Sequence, residues 1–184
     1  KDPRFDEACE LMRKGAQERA RMLFSQLLSE NPDDYVLMQD IAVVYRESGL
    51  QEECVAINQA TLRNLLLKSR MEEADALALD MIQSGESAET DPQLLLKVGK
   101  HLSTAGRAGE SHDVYRHIIR ANVSPTVSAK ASIALAKLLA SKMQNFVDAI
   151  NVLEEAKGLE ISPVLRTTLG ELQDSINEKA GQYT

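Results

Sequence analysis

Apolar residues recur at intervals of three and four positions along almost the whole chain. This spacing places them on one face of an α-helix, whereas a half-buried strand would alternate apolar and polar residues. Aromatic residues make up only 4% of the chain, and leucine and alanine are abundant, so helix-forming residues dominate. The sequence therefore predicts an all-α fold with no strand longer than three residues.

Glycine, proline and capping residues divide this pattern into ten predicted helices. Gly15, Gly49 and Gly106 each follow a helical run and can take the left-handed conformation that ends a helix. Asp91 and Ser162 each stand before a proline, so a helix cap is followed by a residue suited to the first helical turn. Because the connections are short, consecutive helices are expected to pack antiparallel. The predicted ranges are 4–14, 17–30, 35–48, 52–67, 71–84, 92–104, 108–121, 126–141, 146–157 and 162–178.

A repeat underlies these helices. In segment 15–34, Gly15, Ala20, Phe24, Leu27 and Pro32 occupy positions 15, 20, 24, 27 and 32 of a 34-residue unit, and this segment resembles the second half of a tetratricopeptide repeat. The same positions recur in later units, with a small residue at position 8, a glycine at position 15 and an aromatic residue at position 11 or 24. Those residues are Ala42, Tyr45 and Gly49 in one unit and Gly99, Gly106 and Tyr115 in another.

The resemblance covers most of residues 1–160 and implies a right-handed superhelix of antiparallel helical hairpins, a tetratricopeptide-like solenoid. Small residues such as Ala20 and Ala42 are expected where two helices cross, because a larger side chain would hold the helices apart. The segment Met71–Gly85 looks like half a repeat, so regular alternation breaks near residue 68. We expect two sets of hairpins, 1–67 and 68–160, followed by a capping helix and tail at 161–184. The polar segment 84–91 is expected to be the most mobile connection.

A degenerate array with one split repeat also resembles the soluble helical segments attached to some bacterial rhomboid-family membrane proteins. The chain opens on Lys1 rather than on methionine, so we expect a fragment of a longer, cytoplasmic protein. No apolar run approaches the roughly 18–20 residues needed to cross a bilayer, so no direct membrane insertion of this fragment is expected.

Catalysis would need acid–base or nucleophilic groups gathered in one place. The only histidines are His101, His112 and His117, and none of them forms the pair four positions apart that a helical zinc motif needs. We expect these to be surface histidines, and Cys9 and Cys54 to be free thiols inside helices. The glycines stand singly at helix ends, so no loop that could bind phosphate is present. The sequence predicts no catalytic residue, metal site or cofactor, and the chain is not expected to be an enzyme.

Charge is unevenly distributed. The net charge is −7, yet residues 93–142 contain eight basic and two acidic residues. An acidic chain without arginine clusters is a poor binder of nucleic acid, so the expected partner is a protein or peptide. The basic stretch favours a partner with acidic residues.

In tetratricopeptide arrays the first helix of each hairpin lines a groove, and the resemblance carries that role to ten residues. They are Phe5, Met12, Gln39, Val43, Arg46, Leu96, Lys100, Lys130, Ile133 and Lys137. Chaperone-binding members hold a terminal carboxylate with lysine and asparagine, where this chain has Gln39 and Val43, so that role is disfavoured. The predicted function is a non-catalytic scaffold that binds a partner peptide or helix. Two alternatives stay open: the lysines form a solvated basic face, or the chain self-associates or spaces the domains of a larger, membrane-anchored protein.

Overall fold

The computed structural model describes residues 2–182, apart from the side chains of residues 88 and 89. The predicted N-terminal hairpins include residue 1, and the predicted tail includes residues 183 and 184. These three residues lie outside the described part of the chain. Residues 2–182 form ten α-helices and one 3-10 turn, joined by short connections, and contain no strand. The predicted all-α fold is therefore confirmed. The helices are α1 Pro3–Arg13, α2 Gln17–Glu30, α3 Tyr35–Glu47, α4 Gln51–Leu67, α5 Met71–Gln83, α6 Pro92–Thr104, α7 Ala108–Ala121, α8 Pro125–Ser141, α9 Phe146–Lys157 and α10 Pro163–Gly181, and the turn is Glu86–Glu89.

The chain forms two compact units, Lys1–Leu67 and Lys68–Thr184. In the first unit α1 packs on α2, and α3 packs on α4. In the second unit each helix from α6 to α10 packs on the next, and α5 packs against α6 and α7. The last helix contacts both α8 and α9. No helix in the described part of the chain is both long and apolar enough to span a membrane.

The helix ends follow from local chemistry. Gly15, Gly49 and Gly106 have φ angles of 78°, 73° and 81°, the left-handed conformation that other residues rarely adopt. The carboxylate of Asp91 accepts a hydrogen bond from the Gln93 amide at 2.9 Å and so satisfies an amide that the helix leaves unpaired. Ser162 caps α10 in the same way. The predicted roles of these five residues at helix ends are confirmed.

Three aromatic rings form the centre of the first unit. The ring of Phe24 is fully buried, with its centroid 5.7 Å from that of Phe5 and 5.5 Å from that of Tyr45. These tilted and edge-on arrangements are the ones that aromatic pairs prefer. Ala20 and Ala42 are buried in the same core. One cluster therefore joins α1, α2 and α3.

The polar segment 84–91, expected to be mobile, contains the 3-10 turn Glu86–Glu89. The Glu86 and Ser87 side chains are each only 2% exposed, and Ser87 Oγ lies 2.9 Å from His117 Nε2 on α7. This contact joins the segment to α7, and its mobility stays a prediction.

Candidate functional site

Three helices of the second unit surround a cavity of about 380 Å³. It lies among α6, α7 and α8, because α6 and α8 both pack on α7 and also touch each other. Apolar side chains and hydroxyl groups form its walls, and lysines stand at its rim. The lining residues are Leu96, Lys100, Ser103 and Thr104 from α6, Tyr115 from α7, and Lys130, Ile133, Ala134, Lys137, Leu138 and Ser141 from α8.

Five residues predicted from the sequence to line a groove surround this cavity. Lys130, Ile133 and Lys137 share one face of α8, because positions three and seven apart lie on the same side of a helix. Leu96 and Lys100, four positions apart, do the same on α6. Helical spacing placed each set on one face, and the packing of α6 beside α8 brings the two faces together.

The three lysines carry charge that nothing nearby neutralises. All three side chains are exposed, and among the described residues no carboxylate lies within 4.0 Å of any of them. Glu110 and Asp113 are the acidic residues of stretch 93–142, and they pair instead with Arg107 and His112. The rim of the cavity is therefore a local source of positive charge.

The wall of the cavity next to α7 depends on a close contact between Gly99 and Tyr115. A Cβ atom added to Gly99 would lie 2.6 Å from Tyr115 Cε1, so only glycine lets the ring approach the α6 backbone this closely. Ser111 Oγ donates a hydrogen bond to the Gly99 carbonyl at 2.8 Å and ties α7 to α6. Burial raises the pKa of Tyr115, which keeps the phenol neutral. This wall is therefore uncharged.

Two hydroxyl groups in the lining have already used their donors. Thr104 Oγ1 donates to the His101 carbonyl at 2.8 Å, and Ser141 Oγ donates to the Lys137 carbonyl at 2.6 Å. Each hydroxyl has one hydrogen, so toward the cavity both oxygens act as acceptors. The lysine ammonium groups can therefore serve as hydrogen-bond donors to an anion, but these two hydroxyls cannot.

The predicted groove residues of the first unit are placed differently. Phe5 and Met12 are only 5% and 7% exposed, so both belong to the core, and Met12 also borders a cavity of the first unit. Gln39 and Arg46 are half-buried on α3, while Val43 is 43% exposed. The aromatic contact with Phe24 draws Phe5 inward, which helical spacing alone did not reveal.

A second cavity of about 390 Å³ lies in the first unit. Met12 is the predicted groove residue that it contains, and Arg13, which also lines it, is paired with Glu10. This cavity therefore lacks the concentration of unpaired lysines found in the second unit. Its lining residues are Cys9, Met12, Arg13, Gln17, Val44, Glu47 and Ser48.

One polar cluster in the second unit was not predicted. Asp75 on α5 is fully buried, and its Oδ2 lies 2.8 Å from His101 Nδ1 and 3.3 Å from an Arg107 guanidinium nitrogen. His101 and His117 were expected to be surface histidines, but both are half-buried, and each has a polar partner. These partners lie 26 to 32 residues away in sequence, which a local pattern cannot show.

Among the described residues, no group of three histidine, cysteine, aspartate or glutamate side chains is placed to hold a metal ion. No family model matches the chain, and no curated protein matches it. The cavity itself brings ammonium donors beside apolar surface.

Proposed function

We propose that this chain is a non-catalytic scaffold that binds an acidic segment of a partner protein in the cavity among α6, α7 and α8. The observation that supports this is the convergence of Lys100, Lys130 and Lys137 on one apolar cavity without acidic partners. If the lysines served only solubility, we would not expect three of them to surround a common cavity. The chain as a whole is acidic, with a net charge of −7, so the basic rim of this cavity is a local exception to its charge.

The contact between Gly99 and Tyr115 supports a tetratricopeptide-like construction of the second unit. These residues occupy repeat positions 8 and 24, where the resemblance implies a small residue and a large one. A Cβ atom at Gly99 would come within 2.6 Å of the Tyr115 ring. In such a construction α6 and α8 are the first helices of two neighbouring hairpins, and their shared surface is the groove.

Charge reversal of the lysines tests the proposal. A displayed library of random dodecapeptides is selected on the whole chain, and glutamate and aspartate should be enriched among the peptides that bind. The Lys100→Glu/Lys137→Glu variant should lose those peptides, because ammonium groups that attract carboxylates become carboxylates that repel them. Binding to the unaltered chain should also weaken as salt rises, since exposed charges are screened beyond about 8–10 Å.

The matched control is Lys97→Glu/Arg120→Glu, which makes the same change in net charge at exposed residues that do not line the cavity. This control variant should still bind the selected peptides. Equal loss in both variants would mean that overall charge, and not this cavity, attracts the peptides. Dichroism spectra and melting temperatures establish that both variants stay folded.

Self-association is a second candidate, and the charge distribution favours it. Residues 1–92 contain 19 acidic and 10 basic residues, so the acidic part of one chain complements the basic cavity of another. Sedimentation over a range of concentrations distinguishes this candidate. A mass that rises with concentration in the unaltered chain, and not in Lys100→Glu/Lys137→Glu, would favour self-association.

A further inference from the structure

The cavity has room for a side chain, and its lysines supply positive charge that attracts a carboxylate. Its volume of about 380 Å³ lies within the range of roughly 300–1,000 Å³ typical of ligand pockets. A patch of exposed lysines alone would be flat and would attract any anion. Here the lysines surround a depression lined by Leu96, Ile133 and Leu138. The site is therefore shaped for a group that is apolar at its centre and anionic at its edges.

We infer that the bound segment is an extended acidic peptide that places one bulky apolar side chain in the cavity, with carboxylates on both sides of it. This inference rests on the proposed function and names the sequence that the site selects. The apolar side chain is the anchor, and the lysines contact the residues that flank it.

Small residues create the space for the anchor. Gly99 lets the Tyr115 ring, which lines the cavity, lie close to the α6 backbone. Ala134, half-buried on α8, lines the cavity with a single methyl group between Lys130 and Lys137. A larger side chain at Ala134 would occupy the volume that the anchor needs and would leave the lysines in place.

The spacing of the lysines sets the pattern of the flanking acids. Lys130 and Lys137 are seven residues apart on α8, which is about 10.5 Å along the helix axis. An extended peptide covers that distance in about three residues. Side chains of an extended peptide alternate between its two faces, so two carboxylates four positions apart and the residue midway between them face α8 together. Those carboxylates are about 13 Å apart, a spacing that the long lysine side chains accommodate. Lys100 faces the same cavity from α6 and can contact either carboxylate.

Three fluorescein-labelled dodecapeptides test this inference by fluorescence anisotropy with the whole chain. The first has two glutamates that are four positions apart and a leucine midway between them, in a glycine–serine background. The second replaces the leucine with glycine, and the third replaces both glutamates with glutamine. The leucine peptide should bind at least about tenfold more tightly than the glycine peptide, because burying a leucine side chain contributes about that factor. The glutamine peptide should show no binding.

Two variants change the cavity without touching the lysines. Ala134→Leu should lower the affinity of the leucine peptide to that of the glycine peptide. The affinity of the glycine peptide should not change. Leu96→Ala removes apolar contact and should weaken the leucine peptide alone, so the inference stays testable if Ala134→Leu fails to fold. Lys97→Glu, on the same helix as Leu96 but outside the cavity, should leave the relative affinities of all three peptides unchanged.

The outcomes separate this inference from the proposed function. If the leucine and glycine peptides bind equally to the unaltered chain, the inference of an apolar anchor is wrong, while the proposed site for an acidic segment is still supported. If neither acidic peptide binds, both the inference and the proposed site are wrong. If the chain alone forms dimers that the leucine peptide dissociates, a second copy occupies the cavity, and an extended partner peptide is the wrong occupant.

Discussion

At the scale of single residues, the smallest side chains decide how closely the helices pack. Gly99 and Ala42 were both recognised from the repeat as small residues at crossings, and both are buried in the structure. Their partners were not recognised, because a period in sequence gives the position of a residue and not the atom that it touches. Tyr115 was predicted only as a large residue of the repeat, yet it also forms a wall of the cavity.

Gly99→Ala should destabilise the protein by about 1–3 kcal/mol, because the new methyl group would overlap the buried Tyr115 ring. Gly170→Ala is the matched control, since Gly170 lies inside α10 and an added Cβ would have no atom within 4 Å. That change should stabilise the protein by up to about 1 kcal/mol, because alanine is the better helix former. Urea unfolding of the two variants measures both effects, and a stabilising Gly99→Ala would show that the ring moves aside at no cost.

Ala42→Leu should cost about 1–3 kcal/mol, because Ala42 is only 2% exposed and its neighbours leave no room for three more carbons. Val43→Leu, at the next position of the same helix, should change the melting temperature little because Val43 is 43% exposed. Equal melting temperatures for the two variants would mean that the position of the helix crossing has been wrongly assigned.

His117 should make stability depend on pH. Burial lowers the pKa of His117 below its usual 6.5, so the folded state favours the neutral ring. Its contribution to stability is therefore present above about pH 6.5 and is lost as pH falls through that value toward the folded pKa. His117→Gln should flatten the dependence of unfolding free energy on pH in this range. Urea unfolding over this pH range measures the dependence, and an unchanged dependence in His117→Gln would show that His117 is not its source.

At the scale of the elements, local signals predicted the helices well. Nine of the ten predicted helices end within one residue of the observed bounds, and α10 extends to Gly181 instead of residue 178. Glycine, proline and capping residues act on their own neighbours, which is why the sequence reveals them. Ser69, Asn122 and Gln144 also adopt left-handed backbone conformations, with φ of 57°, 44° and 52°. No glycine marks those three positions.

Long-range polar contacts between elements were not predictable. Asp75 joins α5 to α6 and α7, but its carboxylate meets partners 26 and 32 residues away. In the sequence it is one acidic residue among several on α5. Burial distinguishes it from the exposed Asp80 on the same helix, and burial depends on how α5 packs.

Asp75→Ala should lower the free energy of unfolding by about 1.5–3 kcal/mol, the range for lost hydrogen bonds to charged groups. Asp75→Asn should cost less, because both hydrogen bonds are accepted by Oδ2, and an amide oxygen in its place can still accept them without the negative charge. Asp80→Ala, on the exposed side of α5, should cost less than about 1 kcal/mol. Urea unfolding ranks the three variants, and an equal cost for Asp75→Ala and Asp80→Ala would show that the cluster does not hold α5 in place.

At the scale of the whole molecule, the candidate site belongs to one unit. Every residue that lines the lysine-rimmed cavity falls within Lys68–Thr184. The resemblance to tetratricopeptide repeats supplied five of these residues, Leu96 and Lys100 on α6 and Lys130, Ile133 and Lys137 on α8. It also assigned Phe5 and Met12 to the groove. The aromatic core of the first unit buries Phe5, whereas Met12 is buried and also lines the cavity of that unit. Periodicity identifies which face of a helix is apolar, and only packing decides whether that face is core or cavity.

The fragment 68–184 should fold alone and keep the binding site. Its core is its own, since each helix from α6 to α10 packs on the next within it. The fragment should show a helical dichroism spectrum and a cooperative thermal transition. It should bind the glutamate–leucine peptide within about threefold of the whole chain, a difference of under 1 kcal/mol. The fragment 1–67 should not bind that peptide, because its cavity lacks the three lysines. A folded 68–184 fragment without affinity for the peptide would place the acidic site outside the cavity.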